Sequence, residues 1–301
     1  MKNLALRQNE RYSERAVYTR IRRLVVLLLF GSPCYPLLSQ IPSAPPVSEI
    51  VRRSAEATHA DWERAPNYDF CQTDVAGSHT RTRAELMIDG SSYERLVAID
   101  GRPLPAQEEQ AAAARYAAVA EQRSHETEEQ HAKRVAQYQK ERHRDQMLLE
   151  EMGSAMEFHL DGVATVNNRQ TFVLRATPRP GYVPNGLETQ VLTGMRGTLW
   201  VDQETFRWVR VEAEVMHPVN IVGFVARVER GTRFLLEEAP VGEDVWMASR
   251  FTMRARAKIL FIFSSSSAED DIWFGYRPRG TLQAAACIPG NPQEPLSSGQ
   301  R

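Results

Sequence analysis

Residues 197–215, Gly-Thr-Leu-Trp-Val-Asp-Gln-Glu-Thr-Phe-Arg-Trp-Val-Arg-Val-Glu-Ala-Glu-Val, leave little freedom in local structure. In the second half Val209, Val211, Ala213 and Val215 share one parity, while Arg210, Glu212 and Glu214 share the other. A period of two puts one set on a dry face and the other on a wet face of a strand, and no helix reproduces it. The Asp-Gln-Glu-Thr stretch between the halves is a polar turn, so the segment reads as two antiparallel strands.

Similar signals recur along the chain. Asp89-Gly90 separates 81–88 from 93–99, Asp161-Gly162 follows 156–160, and Asn167-Asn168 precedes 170–177; turns of this composition between alternating runs mark hairpins. Phe251, Met253, Ala255, Ala257 and Ile259 alternate with Thr252, Arg254, Arg256 and Lys258, which predicts a further strand. It is expected to end in an apolar stretch at 261–263 and a serine turn at 264–267, with the last strand at 271–277. The fold class is therefore mainly β with helices (α+β): a curved antiparallel sheet.

Two segments break the alternation. Residues 47–63 begin near a Ser48 cap and place Ile50, Val51, Ser54, Ala55, Thr58 and Trp62 on one stripe, as a helix packed on the sheet requires. Residues 105–152 turn to Ala, Glu, Gln and Arg with thinly spaced apolar groups among ten acidic and seven basic residues. This predicts a long helix or helical hairpin inserted between strands, a charged spacer that the sheet could fold without.

The N-terminus bears on compartment. Residues 1–23 hold seven Lys or Arg against two Glu, and an apolar run from Leu24 to about Leu38 follows. A run of this length, interrupted by Gly31, Pro33 and Pro36, fits a signal-peptide core better than a membrane span, which takes about 20 apolar residues. Export with cleavage near 39–41 is the expectation, an uncleaved anchor the alternative. Cys34 follows Pro33 where a lipidation signal wants Gly or Ala. Loss of 1–40 removes a surplus of five positive charges (7 basic, 2 acidic), so the net charge goes from −1 to −6. An acidic chain without a basic, aromatic-studded patch argues against nucleic acid as partner. Cys71 and Cys287 remain, and an exported protein permits a disulfide between them without requiring it. The expected organisation is a signal peptide at 1–40, one domain from 41–104 and 153–287, the helical insertion at 105–152 and a loose tail at 288–301.

No motif for catalysis stands out. His125-Glu126-Thr127-Glu128-Glu129 lacks the second histidine of a zinc-protease helix, and His131 lies on another helical face. Glu128 and His131 have Glu-x-x-His spacing, but a di-iron bundle needs a second such pair and further carboxylates. There is no Gly-x-Ser-x-Gly elbow, no Cys-x-x-Cys pair and no phosphate-cradling glycine loop. No cofactor or metal is expected, and an exposed strand position is the reading for His159. A hydrolase with dispersed residues is the third-ranked function.

The wording of 194–202, Gly-Met-Arg-Gly-Thr-Leu-Trp-Val-Asp, followed by a turn and a valine-and-charge strand, resembles the strand pair of LolA-like periplasmic lipoprotein carriers. The order of an N-terminal helix, antiparallel strands, this pair, 225–236 and 246–259 is also similar to the related sigma-factor regulatory domain of RseB. The resemblance spans about 47–277 apart from the insertion. It implies an incomplete β-barrel whose concave apolar face, covered by helices, holds lipoprotein acyl chains in outer-membrane lipoprotein sorting. A carrier of lipid or lipoprotein acyl chains, with an envelope membrane protein as a further partner, is thus the first reading; a regulatory or sensor module without transport is the second. From strand parity alone, the candidate lining of an apolar cavity is Leu86, Ile88, Phe172, Leu174, Val209, Val211, Phe251 and Met253, with a filled core as the alternative.

Overall fold

The computed structural model describes residues 44–288 apart from 187, 223–225, 243 and 260–262. The expected signal peptide, the tail beyond 288 and most of the apolar stretch at 261–263 lie outside the described residues. Helix α1 (Val47–Arg64) is followed by strands β1 (Tyr68–Ala76), β2 (His79–Ile88), β3 (Ser91–Ile99) and the short β4 (Arg102–Pro103). Helices α2 (Ala106–Ser124) and α3 (Glu128–Ala155) form the inserted hairpin. Strands β5 (Met156–Val166), β6 (Arg169–Pro178), β7 (Met195–Asp202), β8 (Trp208–Val215), β9 (Val219–Val222), β10 (Ala226–Val228), β11 (Arg233–Pro240), β12 (Trp246–Ile259) and β13 (Phe263–Pro278) complete the described elements.

All described strands belong to one antiparallel sheet in the order β4-β3-β2-β1-β13-β12-β11-β8-β7-β6-β5, with β10 off this path on β12 and β9 on β10. The sheet is open, since β4 and β5 are not paired to each other. The incomplete barrel therefore has one concave face, and helices must cover its apolar half.

Several turns follow the sequence signals. Asp89 and Gly90 both take positive φ (46° and 90°), as do Asn167 and Asn168 (49° and 61°), the geometry that two-residue hairpin turns demand. Asp161-Gly162 does not turn the chain. It lies inside β5 at a bulge opposite β6, where Gly162 takes φ 139°, so one strand runs on to Val166. The serines 264–267 likewise continue β13, paired with Ala255 to Lys258 of β12, instead of ending it. Small hydroxylated residues favour turns only where no partner strand offers hydrogen bonds, and here β12 does.

Helix α1 starts at Val47 after Pro46 with no side-chain cap, one residue before the expected Ser48. The inserted helices are more than a spacer. Leu86 and Ala84 share a face of β2 with their cross-strand mates Tyr93 and Arg95, and there α2 packs: the Tyr93 and Tyr116 rings lie 5.8 Å apart and Arg95 pairs with Glu109. Met87, of opposite parity, receives the Tyr138 hydroxyl of α3. The two helices thus straddle the sheet, α2 outside and α3 on the concave side. Arg123 of α2 donates to the carbonyls of Ile88 and Ser91, and Arg134 of α3 to the Ser91 hydroxyl, so both clamp the β2–β3 turn. At its far end α3 delivers Met152 and Ala155 into the apolar clusters of the sheet.

Candidate apolar binding site

The turn between β7 and β8 is built to hold α1. Asp202 accepts from the Thr205 backbone (2.8 Å) and hydroxyl (2.9 Å) and binds Arg169 through both oxygens (2.7 and 3.0 Å). Burial pushes its carboxyl up, but Arg169 and Thr205 outweigh this and hold it below the ordinary range. The turn then presents three consecutive side chains to the helix. The Phe206 ring lies under the Arg53 guanidinium (3.5 Å), Arg207 grips the buried Asp61 carboxylate (2.6 and 3.2 Å), and the Trp208 indole N–H donates to Ser54 Oγ (2.7 Å).

Trp208 reaches Ser54 because of a bulge. Leu199 pairs with Val211, but Val201 pairs with Trp208, which leaves Val209 as the extra residue and reverses the strand's parity there. Val209 is buried but lines neither apolar cavity described below; Trp208, which strict alternation puts on the wet side, takes its place.

Between the concave face and its helical cover lies a cavity of about 160 Å³. Its lining includes Met152, Leu192, Leu199, Trp208, Val211, Ala213, Phe234, Leu236 and Phe251. A second cavity of about 80 Å³ sits under α1, against Val51, Ser54, Ala55, Thr58 and Trp62. These five are most of the stripe read from the helical period. Met152, Leu199 and Trp208 border both cavities.

Of the eight lining residues expected from parity, Val211 and Phe251 border the larger cavity. Phe172 and Leu174 instead fill the core cluster with Ile50, Leu199 and Val201, where Leu174 is fully enclosed. Leu86 belongs to a separate cluster with Ala84, Val97 and the two cysteines on the other face of the sheet, and Ile88 sits beside it at the strand end, its carbonyl held by Arg123. Strand β2 is covered on both faces, so its parity could not reveal which side is concave. Met253 pairs with Phe234 one step beyond the lining. The missed lining residues Leu192, Met152 and Trp208 come from a 3-10 turn, the end of an inserted helix and a bulge, none of which alternation encodes.

Cys71 and Cys287 form a disulfide (S–S 2.00 Å) that ties β1 to the C-terminal turn. Elsewhere on the concave side Glu238 lies beside the Asp61–Arg207 pair. Burial and the Asp61 charge push its carboxyl up to about 8, partly offset by Arg207. Tyr276, buried next to Glu238, is also raised, and its hydroxyl donates to the Ala248 carbonyl. His159 is exposed, and His131 Nε2 approaches the Asp89 carbonyl (3.2 Å). No group of three His, Cys, Asp or Glu side chains among the described residues is placed to hold a metal ion. No described helix is long and apolar enough to cross a membrane.

No protein-family model matches this chain, and no curated protein matches its sequence. Three of the solved structures to which this chain is similar are the following. A DUF1329 family protein from Desulfovibrio piger is 12% identical with a TM-score of 0.34, covering 80% of this chain and 97% of its own. A putative outer membrane lipoprotein-sorting protein domain from Vibrio parahaemolyticus is 8% identical with a TM-score of 0.32, covering 79% and 97%. A LolA superfamily protein from Nitrosomonas europaea is 11% identical with a TM-score of 0.27, covering 79% and 95%. At these values the likeness is one of general architecture.

Proposed function

We propose that this protein is an exported binding protein that takes an acyl chain into the cavity between the concave sheet, the end of helix α3 at Met152 and the 3-10 turn that carries Leu192. The supporting observation is the cavity of about 160 Å³ walled by apolar side chains from four adjoining strands, β7, β8, β11 and β12. Water gains nothing there, because a stable buried water needs two to four polar partners.

The size sets the affinity. Taking about 30 Å³ for a water-sized group, the cavity admits about five methylenes. At about 0.8 kcal/mol each they contribute about 4 kcal/mol, which corresponds to a millimolar Kd. A longer chain gains more by running on into the space under α1, past Met152 and Trp208, which border both cavities. Ligand entry on this reading displaces those two side chains and loosens the Trp208–Ser54 hydrogen bond.

The test is titration of the exported protein with a fluorescent fatty acid, alongside native mass spectrometry of protein purified without detergent. Saturable binding that quenches or shifts tryptophan emission, with lipid carried through purification, supports the reading. Absence of both rejects it, and the regulatory-module reading then leads. Recovery of soluble protein that retains Met1 would reject export.

A further inference from the structure

The smaller cavity differs from the larger in having a polar end. Helix α1 borders it with Ser54, Thr58 and Trp62, which fall on one face at four-residue spacing, and with His59 beside them. Helix α3 faces them with Gln146 and Glu150, one turn apart on its own surface. The floor is apolar and includes Met152, Leu199 and Trp208, which also border the larger cavity. A chain that runs in from the sheet past these three therefore ends among Thr58, His59, Gln146 and Glu150.

Two of these four have unused hydrogen-bonding capacity. The Thr58 hydroxyl is buried with no hydrogen-bond partner among the described residues, although a helical threonine ordinarily bonds a carbonyl of the preceding turn. Gln146 is 8% exposed, and its Nε2 lies 2.9 Å from His59 Nδ1. An amide nitrogen only donates, so the ring nitrogen accepts, and the Gln146 carbonyl oxygen is left without a donor among the described residues. Buried polar groups in native proteins are nearly always paired, so each exception calls for a partner. Charge is sparse around this pair. Apart from His59, the one charged lining residue is the half-exposed Glu150, with Oε1 3.8 Å from His59 Nδ1. Arg142 is committed to the Trp62 carbonyl and ring, and Arg53 to the Phe206 ring.

We propose that the polar end of the smaller cavity receives the neutral, hydroxyl-bearing head group of a lipid whose tail occupies the larger one. The hydroxyl donates to the Gln146 carbonyl oxygen and accepts from Thr58, whose two helical rotamers let its Oγ1 turn toward the cavity that the residue borders. This rests on the acyl-chain reading for the tail and adds the chemistry of the head. A carboxylate head finds no free cation in the lining and meets Glu150 instead. An ammonium cannot accept from Thr58, and pairing with a half-exposed Glu150 offsets little of its lost hydration.

The two cavities together hold about eight water-sized groups, which sets the probe length. The test is titration of the protein with 1-octanol, octanoate and octylamine at pH 8, followed by the emission of Trp62 and Trp208 in the lining. Octanol is expected to bind about tenfold more tightly than either charged compound, because neither ion recovers its hydration in the cavity. Thr58→Val and, separately, Gln146→Leu should each weaken octanol about fivefold, the worth of one hydrogen bond, and leave octanoate unchanged. Thr58→Val should also keep the Tm of the unmutated protein or exceed it, since it removes a hydroxyl that bonds nothing in the empty cavity. Octanoate or octylamine binding as tightly as octanol, or octanol affinity unchanged by either substitution, overturns the head-group site while leaving the tail cavity standing. Failure of all three compounds to bind overturns the acyl-chain reading as well.

Discussion

Ala213→Leu separates an open cavity from a filled core more cleanly than any change at Met253, which lies outside the lining. Ala213 faces the 160 Å³ cavity between Gly197 of β7, which offers no side chain, and Phe234 of β11. Leucine adds three carbons, roughly the share of three of the five water-sized groups the space admits. If they enter vacant space they stabilise the fold by up to about 2 kcal/mol, at about 0.8 kcal/mol per carbon. For a domain of this size that raises Tm by about 4–8 °C. The same atoms occupy volume that a ligand would use, so a fatty acid should bind roughly fiftyfold more weakly. Differential scanning calorimetry and fatty-acid titration read the two effects. In a close-packed wall the added carbons instead force side chains off their rotamers and cost about 1–3 kcal/mol. Destabilisation of that order, with fatty-acid affinity unchanged, would refute the cavity.

The grip of the β7–β8 turn on α1 gives two further tests by urea unfolding. Ser54→Ala leaves the buried Trp208 N–H without an acceptor and is expected to cost about 1–3 kcal/mol, with a shift in tryptophan emission; unchanged stability would mean the helix is not seated as described. Arg207→Met leaves Asp61 buried and uncompensated, an expected loss of about 3–5 kcal/mol that Asp61→Asn in the same chain should largely recover. Because Glu238 is raised to about 8, the folded state binds its proton more tightly than the unfolded chain between about pH 4.5 and 8; its contribution to stability therefore falls as pH rises through that window. Glu238→Gln should be more stabilising at pH 8.5 than at pH 5, and an equal effect at both would remove Glu238 as the cause. Reduction of Cys71–Cys287, which closes a loop of 216 residues in sequence separation, should cost about 2–5 kcal/mol in the same assay.

Much of the strand content was legible because alternation is a local property. Each residue of β8 or β12 declares wet or dry by its own polarity, and Asp-Gly and Asn-Asn declare their turns by tolerance of positive φ. The α1 stripe was equally plain, since Val51, Ser54, Ala55, Thr58 and Trp62 keep the helical period and all five border a cavity. Bulges were not legible. The extra residue at Val209 and the bend at Gly162 arise from the fit of one strand to its neighbour, and neither strand carries that information alone.

What the sequence by itself determined is the antiparallel, mainly β character of the chain, the positions of the helices and the side of each singly covered strand that is dry. Tertiary structure alone decided which dry residues meet. Phe172 and Leu174 look like Phe251 in pattern, yet they close into a core while Phe251 borders open space, because cavity or core depends on how far the covering helix stands from the sheet. It also set Gln146 of α3 against His59 of α1 at the polar end of the smaller cavity, and Asp271 of β13 beside Asp74 of β1. Register between strands about two hundred residues apart is a property of the assembled sheet, and no local pattern of charge or hydropathy specifies it.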